Sequence, residues 1–371
     1  MPQAVTWPLN TLSRYIARHF FVWFASFLGL LASIVFIADL LELLRRTAAR
    51  PQVGFDQVLE MALLKLPHTV QELLAFAVLF AGIMAFWRLT RSQELVVARS
   101  VGVSVWQFMG PAVLVAIAIG LFKLTVFNSV AAATMNRFLL LENKVIRGNT
   151  STQLSIGATG LWLRQATADG GHAIIHAARI NPDLTEIDRV IILTYKSGGS
   201  FAGRIDAPTG RLEPGQWLLE RASWTAVGQP PKAVGVWTLP TDFTFQKIQE
   251  SFARPETMSF WALPSYIDIL EKAGFSALRH RLYLQSLMAG PLLLAAMVTI
   301  AATFSLRPAR RGGVGAMIGL GVVTGFILYV SSDLLLALGM SARLPVALAA
   351  WAPAGVSTLL AATLLLHLED G

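Results

Sequence analysis

The sequence predicts an α-helical transmembrane bundle of six helices, three plus three, with an all-β domain inserted between the halves. Three observations predict it. Apolar residues make up 54% of the 371 and charged residues only 14%. Six apolar runs are long enough to cross a bilayer. Between the third and fourth runs the texture changes to short β-rich segments punctuated by turn residues. A mean hydropathy of +0.58 exceeds what a water-soluble globule carries, so lipid is the solvent for most of this chain.

A hydrocarbon core of about 30 Å requires about 20 apolar residues in a helix. The runs that meet this cover about 20–44, 58–87, 105–127, 282–306, 314–338 and 344–366. The first follows Arg14, Arg18 and His19. It is too long for a removed signal peptide and lacks a small-residue cleavage site, so it reads as a retained anchor. The second contains Lys65, Pro67, His68, Gln71 and Glu72, so its first part is expected to face protein or water rather than acyl chains. The domain boundaries expected are an N-terminal membrane half at 1–135, a β insert at 136–258 and a C-terminal membrane half at 259–371. The last begins with a helix near 259–272, bracketed by Pro264 and Gly274, that leads back to the membrane.

Orientation follows from basic residues in short loops. With the N-terminus in the cytoplasm, Arg14, Arg18, Arg88, Arg91, Arg99, Arg307, Arg310 and Arg311 lie inside, against Arg45, Arg46, Arg50 and Arg343 outside. Both termini are therefore expected inside, and the β insert outside, in the periplasm of a two-membrane bacterium. The insert carries Gly160-Leu161-Trp162-Leu163-Arg164, a run at 189–195, Gln216-Trp217-Leu218-Leu219-Glu220 and a run at 233–239. Turns are expected at 169–171, 197–199, 208–210 and 230–231. Regular short strands so punctuated read as a β-sandwich or jelly roll.

Several chemistries are excluded. Cysteine is absent, so there is no disulfide or thiolate metal site. The net charge of +8 is spread as single and paired arginines beside apolar runs, which excludes a nucleic-acid stripe. No G-x-x-x-x-G-K-[ST] loop exists to cradle ATP phosphates, and no G-x-S-x-G elbow. His172 and His176 fall in a strand region, where a spacing of four does not converge on a metal. No catalytic residue, cofactor or metal is expected.

Between the second and third runs, residues 88–101 are expected to form an amphipathic helix on the cytoplasmic face. Wound at about 100° per residue, Arg88, Arg91, Glu94 and Arg99 share an arc of roughly 140°, with Leu89, Val96, Val97 and Val101 opposite. Two readings fit. Arginines hold a surface helix at lipid headgroups, or Glu94 is an acidic tooth for an arginine on a cytoplasmic partner while the apolar face enters a groove.

The run Ser92-Gln93-Glu94-Leu95-Val96-Val97-Ala98-Arg99-Ser100-Val101-Gly102-Val103-Ser104 resembles the "SELVVMRAAGVS" stretch of the lipopolysaccharide export permeases, the LptF/LptG family, and lies nearer its LptG branch. The three-plus-three plan with an external β domain is also that family's, so the resemblance spans almost the whole chain. It implies an inserted periplasmic jelly roll and a coupling helix, with Arg91, Glu94, Leu95 and Arg99, that enters a separate LptB-like ATPase dimer where ATP is used. It also implies an LptF-like permease as partner, LptC-like and LptA-like jelly-roll proteins as bridge, and lipopolysaccharide drawn from membrane lipid as substrate. Leu66-Pro67-His68-Thr69-Val70-Gln71-Glu72-Leu73-Leu74-Ala75 is similar to the family's "P-x-x-L-x-x-x-L-P" stretch, with Ala75 in place of the second proline and His68 where a basic residue is common. Gln216-Trp217-Leu218 is similar to its "W-x-L" strand, although Trp217 also reads simply as core.

At the outer end of the first run stand Asp39, Glu42, Arg45 and Arg46. The arginines read either as snorkelling anchors or as forks for phosphate oxygens. The resemblance puts them where LptG-like permeases aim cations at lipid A phosphates, and puts Asp39 where a relative carries another cation. His68 joins this substrate-binding set. Asp333, an intramembrane acid late in the fifth run, either closes a gate with Arg45 or Arg46, together with Asp39 and Glu42, or reaches the outer interface. The function expected is the permease subunit of an ABC transporter that extracts lipopolysaccharide from the inner membrane. The alternative is a membrane-anchored sensor or scaffold with a ligand-binding periplasmic β domain.

Overall fold

The computed structural model describes residues 11–48, 53–100, 102–147, 153–157, 160–167, 170–181, 186–241, 254–272, 276–305 and 314–369. Arg50, Arg307, Arg310 and Arg311, which contribute to the expected orientation, lie outside the described residues. The described chain divides into two units, one of 1–141, 256–261 and 281–371, the other of 142–255 and 262–280.

The first unit is helical. Its elements are α1 (Thr11–Thr47), α2 (Phe55–Arg91), α3 (Glu94–Ser100), α4 (Val105–Phe122), α5 (Asn128–Glu142), α7 (Leu278–Ser305), α8 (Val314–Met340) and α9 (Val346–Glu369). Among the described residues, six helices are long and apolar enough to cross a membrane. The third runs from Val105 to Val145, past its expected end at 127, because a π-helical turn at Lys123–Phe127 carries the helix across the polar boundary instead of ending it. Trp261 Nε1 donates to the Thr125 carbonyl within that turn at 3.0 Å. Asn128, buried just beyond it, donates to the Tyr283 hydroxyl and accepts from the Phe260 backbone N–H at 2.6 Å.

α2 is buried nearly all round, and its Leu79, Ile83 and Phe86 meet Phe20 of α1, Phe108 of α4 and Val298 of α7 in one core. Small residues set how closely these helices approach. A Cβ on Gly82 would stand 2.6 Å from the Ala301 Cβ, and one on Gly120 2.5 Å from the Pro291 Cα. Polar bonds add to the join. Ser305 Oγ donates to the Ile83 carbonyl at 3.1 Å, and Thr90 Oγ1 donates to the Ser305 carbonyl at 3.1 Å.

The second unit holds a seven-stranded antiparallel sheet paired in chain order, and α6 (Leu263–Lys272). The strands are β1 (Gln153–Gly157), β2 (Gly160–Ala166), β3 (His172–Asn181), β4 (Glu186–Tyr195), β5 (Phe201–Glu213), β6 (Gln216–Ala226) and β7 (Lys232–Pro240). Strict alternation buries one face through Leu161, Leu163, Ile175, Ile192, Ile205, Trp217 and Leu219. The sheet curls on itself. Gln165 of β2 donates through Nε2 to the Pro240 carbonyl at 2.9 Å and accepts from Thr241 Oγ1 at 2.8 Å, which brings the second strand to the end of the seventh. Among the described strands the order is an up-and-down meander; the crossover connections of a jelly roll are not among them.

Pro208-Thr209-Gly210 was expected as a turn and lies inside β5. Pro208 has no N–H for the ladder, and its neighbours adjust. Arg189 of β4 and Arg221 of β6, the residues opposite it in the register, have φ of 49° and 53°. Gly235 of β7, paired with Ala222 beside Arg221, has φ of 80°. A line of irregular backbone therefore crosses four strands, the device that bends a sheet, and it lets the sheet curl around Trp217. Trp217→Ala is expected to cost about 3–5 kcal/mol of this unit's stability, read as a rise in the rate of limited proteolysis within 142–255 while the helical core stays resistant.

Candidate functional site

The two ends of the α1–α2 hairpin carry most of the candidate residues. In an antiparallel hairpin, residues equidistant from the connection face each other. Asp39 and Lys65 stand equally far from residue 52, and Lys65 Nζ bonds Asp39 Oδ1 at 2.6 Å. The basic group at this level thus comes from the second helix, where an acid occupies the first. Lys65 was read from the sequence only as a polar residue of a span, and the symmetric spacing was the signal that would have found its partner. Asp39 is 17% and Lys65 33% exposed at the side chain, between the surface case, worth little, and the buried case, where removing one partner costs about 3–5 kcal/mol. Lys65→Ala is expected to lower stability by about 2 kcal/mol, seen as a lower melting temperature in detergent. The exchange Asp39→Lys with Lys65→Asp is expected to restore most of it.

One turn further out, Glu42 is gripped from two sides. Arg45 reaches it through Nε at 3.0 Å and Nη2 at 2.9 Å, and Arg46 through Nε at 2.8 Å. Both guanidinium groups stay in contact with solvent, Arg45 at 78% and Arg46 at 52% exposure. An exposed carboxylate held this way organises two forks side by side and exchanges readily for another oxyanion. His68, a turn inward from Lys65 on α2, is largely enclosed and sets Nε2 3.5 Å from Glu72 Oε1. Asp333 is exposed late in α8, and the described bonds of Arg45 and Arg46 go to Glu42.

At the opposite end, the single helix expected over 88–101 is broken. α2 ends at Arg91, Ser92 and Gln93 turn with Gln93 at φ 65°, and α3 starts at Glu94. Gly102 at φ 88° ends α3, and the Val103 N–H returns to the Ala98 carbonyl at 3.1 Å, the Schellman closure of a helix. Ser104 and Gln107 then cap α4 reciprocally at 3.2 Å.

The break rotates the faces. Leu95 and Ala98, three apart, enter the bundle core at 4% and 8% exposure, while Val97 stands out at 62%. Leu95 is therefore an anchor of α3 in the bundle core, and Val97 is the exposed apolar residue of the helix. Glu94 lies at the flank, half-buried, where its Oε1 accepts from Ser92 Oγ at 2.8 Å and from the Tyr15 hydroxyl at 3.3 Å. Arg91 is exposed, its guanidinium 5.2 Å from the Trp87 ring centre. The side chain of Arg99 lies outside the described residues. Beside Tyr15, a cavity of about 430 Å³ is lined by Arg18, His19, Val22, Trp23, Ser26 and Arg88.

Charge gathered at both ends of one hairpin, with an apolar bundle between them, defines a polytopic membrane protein built like a transport subunit. The family model for the lipopolysaccharide export system permease LptF/LptG matches residues 14–367. The lipopolysaccharide export system permease protein LptG of Escherichia coli (strain K12) is 24% identical over 332 residues, 87% of this chain and 89% of its own. The protein of the same name from Haemophilus influenzae is 22% identical over 343 residues, covering 88% and 90%. The chain belongs to the LptF/LptG family of lipopolysaccharide export permeases.

Proposed function

We propose that the chain is an LptG-type permease subunit of an ABC transporter that extracts lipopolysaccharide from the inner membrane and passes it to a periplasmic bridge toward the outer membrane. Both termini lie in the cytoplasm and the curled sheet in the periplasm. ATP is hydrolysed by a separate LptB-like ATPase dimer, since no phosphate-binding loop occurs in this sequence. The observation that carries the reading is α3. Leu95 and Ala98 fasten it to the bundle core, so a push on Val97 and Glu94 moves packed helices rather than a loose loop. An LptF-like permease completes the cavity, and the Arg45–Glu42–Arg46 cluster receives the phosphorylated headgroup as the acyl chains are squeezed out.

The curled meander takes the place of the family's periplasmic β domain. Its curl from β2 to the end of β7 supports an apolar groove as the next station for the lipid, and LptC-like and LptA-like proteins carry it onward.

Coexpression with a related permease and a candidate ATPase tests the reading. The three chains are expected to purify together, with ATP hydrolysis that rises when lipopolysaccharide is added. A chain that binds a ligand through its sheet and brings down no ATPase would be a sensor, and the export reading would fail.

A further inference from the structure

A second polar site lies inside the helical unit. A half-open cavity of about 150 Å³ is bounded by α2 through Gln71, Glu72, Phe76 and Leu79, by Lys123, by α7 through Gly290, Leu294 and Met297, and by α8 through Leu328, Tyr329 and Ser332. Gln71 is buried at 5% exposure and its Nε2 has no hydrogen-bond partner among the described residues. Lys123 opens the π-helical turn of the third span, a distortion that collects at functional sites, and no ion pair engages its ammonium among the described residues. Two donors without acceptors inside a membrane protein ask for an oxyanion. Glu72, on the same wall and mostly exposed at the side chain, stands 3.5 Å from His68 Nε2 and acts electrostatically on Lys123, and its exposed carboxylate has room for a further cation.

Depth says which molecule brings both. Lys123 is about 27 Å along its helix from Val105, and Gln71 about 30 Å from Arg91, at 1.5 Å per residue. Both distances start from the α3 end, and both match the thickness of a hydrocarbon core, about 30 Å. The cavity therefore lies at the far hydrocarbon boundary, the level of lipid headgroups. Its volume, roughly five water molecules' worth, admits one phosphate ester with a short ammonium arm. A phosphorylated sugar bearing several acyl chains is much larger than this volume, so the cavity suits a smaller headgroup than the exported one. The apolar wall of Phe76, Leu79, Leu294, Met297 and Leu328 suits the first methylenes of its chains.

We infer that the cavity holds a resident zwitterionic phospholipid, its phosphate on Lys123 and Gln71 and its ammonium on Glu72. The inference stands on the cavity alone and survives if the export role does not. Gly290 supplies a clean probe. A Cβ there meets no atom within 4 Å, so Gly290→Leu starts without a clash and puts its branches into the space that Gly290 lines.

The test is native mass spectrometry of the full-length detergent-purified chain, titrated with phosphatidylethanolamine, phosphatidylglycerol or inorganic phosphate, with thermal melting recorded for every variant. The expected result is one retained phosphatidylethanolamine per chain, held at least tenfold more weakly by Lys123→Met and by Gly290→Leu and nearly normally by Lys123→Arg. Phosphatidylglycerol is expected to bind at least tenfold more weakly, and inorganic phosphate to displace nothing. Retention unchanged in both cavity variants at wild-type melting temperature overturns the site. Equal binding of phosphatidylglycerol overturns the zwitterionic headgroup, and displacement by inorganic phosphate overturns a lipid. If the variants do not fold, the two comparisons on the unmutated protein still decide.

Discussion

Glu94→Lys is expected to reduce lipopolysaccharide-stimulated ATP hydrolysis of the assembled transporter at least tenfold while leaving the chain folded. The two outcomes separate because Glu94 sits at the flank of α3 rather than in the core. Its bonds from Ser92 and Tyr15 are solvent-accessible, and the fastening of the helix belongs to Leu95 and Ala98. A melting temperature close to wild type is therefore expected. In the proposed ATPase groove the carboxylate is expected to be desolvated, where truncating one member of a charge pair costs about 2–5 kcal/mol and each 1.4 kcal/mol is tenfold. Reversal adds a third cation beside Arg88 and Arg91. Glu94→Gln keeps an acceptor for Ser92 and Tyr15 without the charge, so an intermediate rate is expected. The measurement is ATPase activity with copurification of the ATPase. Full stimulation by the Lys variant would remove Glu94 from the docking surface and leave α3 as a headgroup-bound surface helix.

Replacing Arg45 and Arg46 together by Glu is expected to reduce photocrosslinking between this end of α1 and lipopolysaccharide at least tenfold. In the resting chain both guanidinium groups share Glu42. Exposed pairs of that kind contribute little and are screened, whereas an arginine fork on phosphate oxygens is charge-assisted and bidentate. A phosphate is therefore expected to displace Glu42. Glu42→Gln, which frees the forks, is expected to leave crosslinking intact or raise it. Undiminished crosslinking in the double Glu variant would make the arginines anchors only. Asp333 enters the same test: it is exposed on α8, and the proposed gate is expected to use it across to the second permease. Asp333→Asn is expected to change crosslinking only in the assembled complex.

What was legible in the sequence follows the range of each signal. The six spans were legible because bilayer thickness imposes a length on every one of them, and the strands at 160–164, 189–195, 216–220 and 233–239 because alternation is a nearest-neighbour pattern. The turn expected at 208–210 was misplaced for a physical reason. Proline and glycine do mark turns, but here Arg189 and Arg221 on the flanking strands absorb the missing donor, and strand partners are not visible in a local window. Leu95 was misassigned similarly. A continuous helix over 88–101 sets one apolar face, and a single left-handed residue at Gln93 turns that face by enough to bury Leu95 and expose Val97.

The sequence by itself determined that this chain lives in lipid, how many times it can cross, where its sheet is inserted and which residues carry charge into apolar surroundings, because hydropathy and periodicity act over one turn or one strand. Only the tertiary structure decided whom those charges meet: Asp39 with Lys65, Glu42 with both arginines, Glu94 with Tyr15, and Lys123 opposite Gln71 across a shared cavity. Such pairings depend on hairpin register and on the rotation of each helix about its axis, and both are set by close packing between segments far apart in the chain.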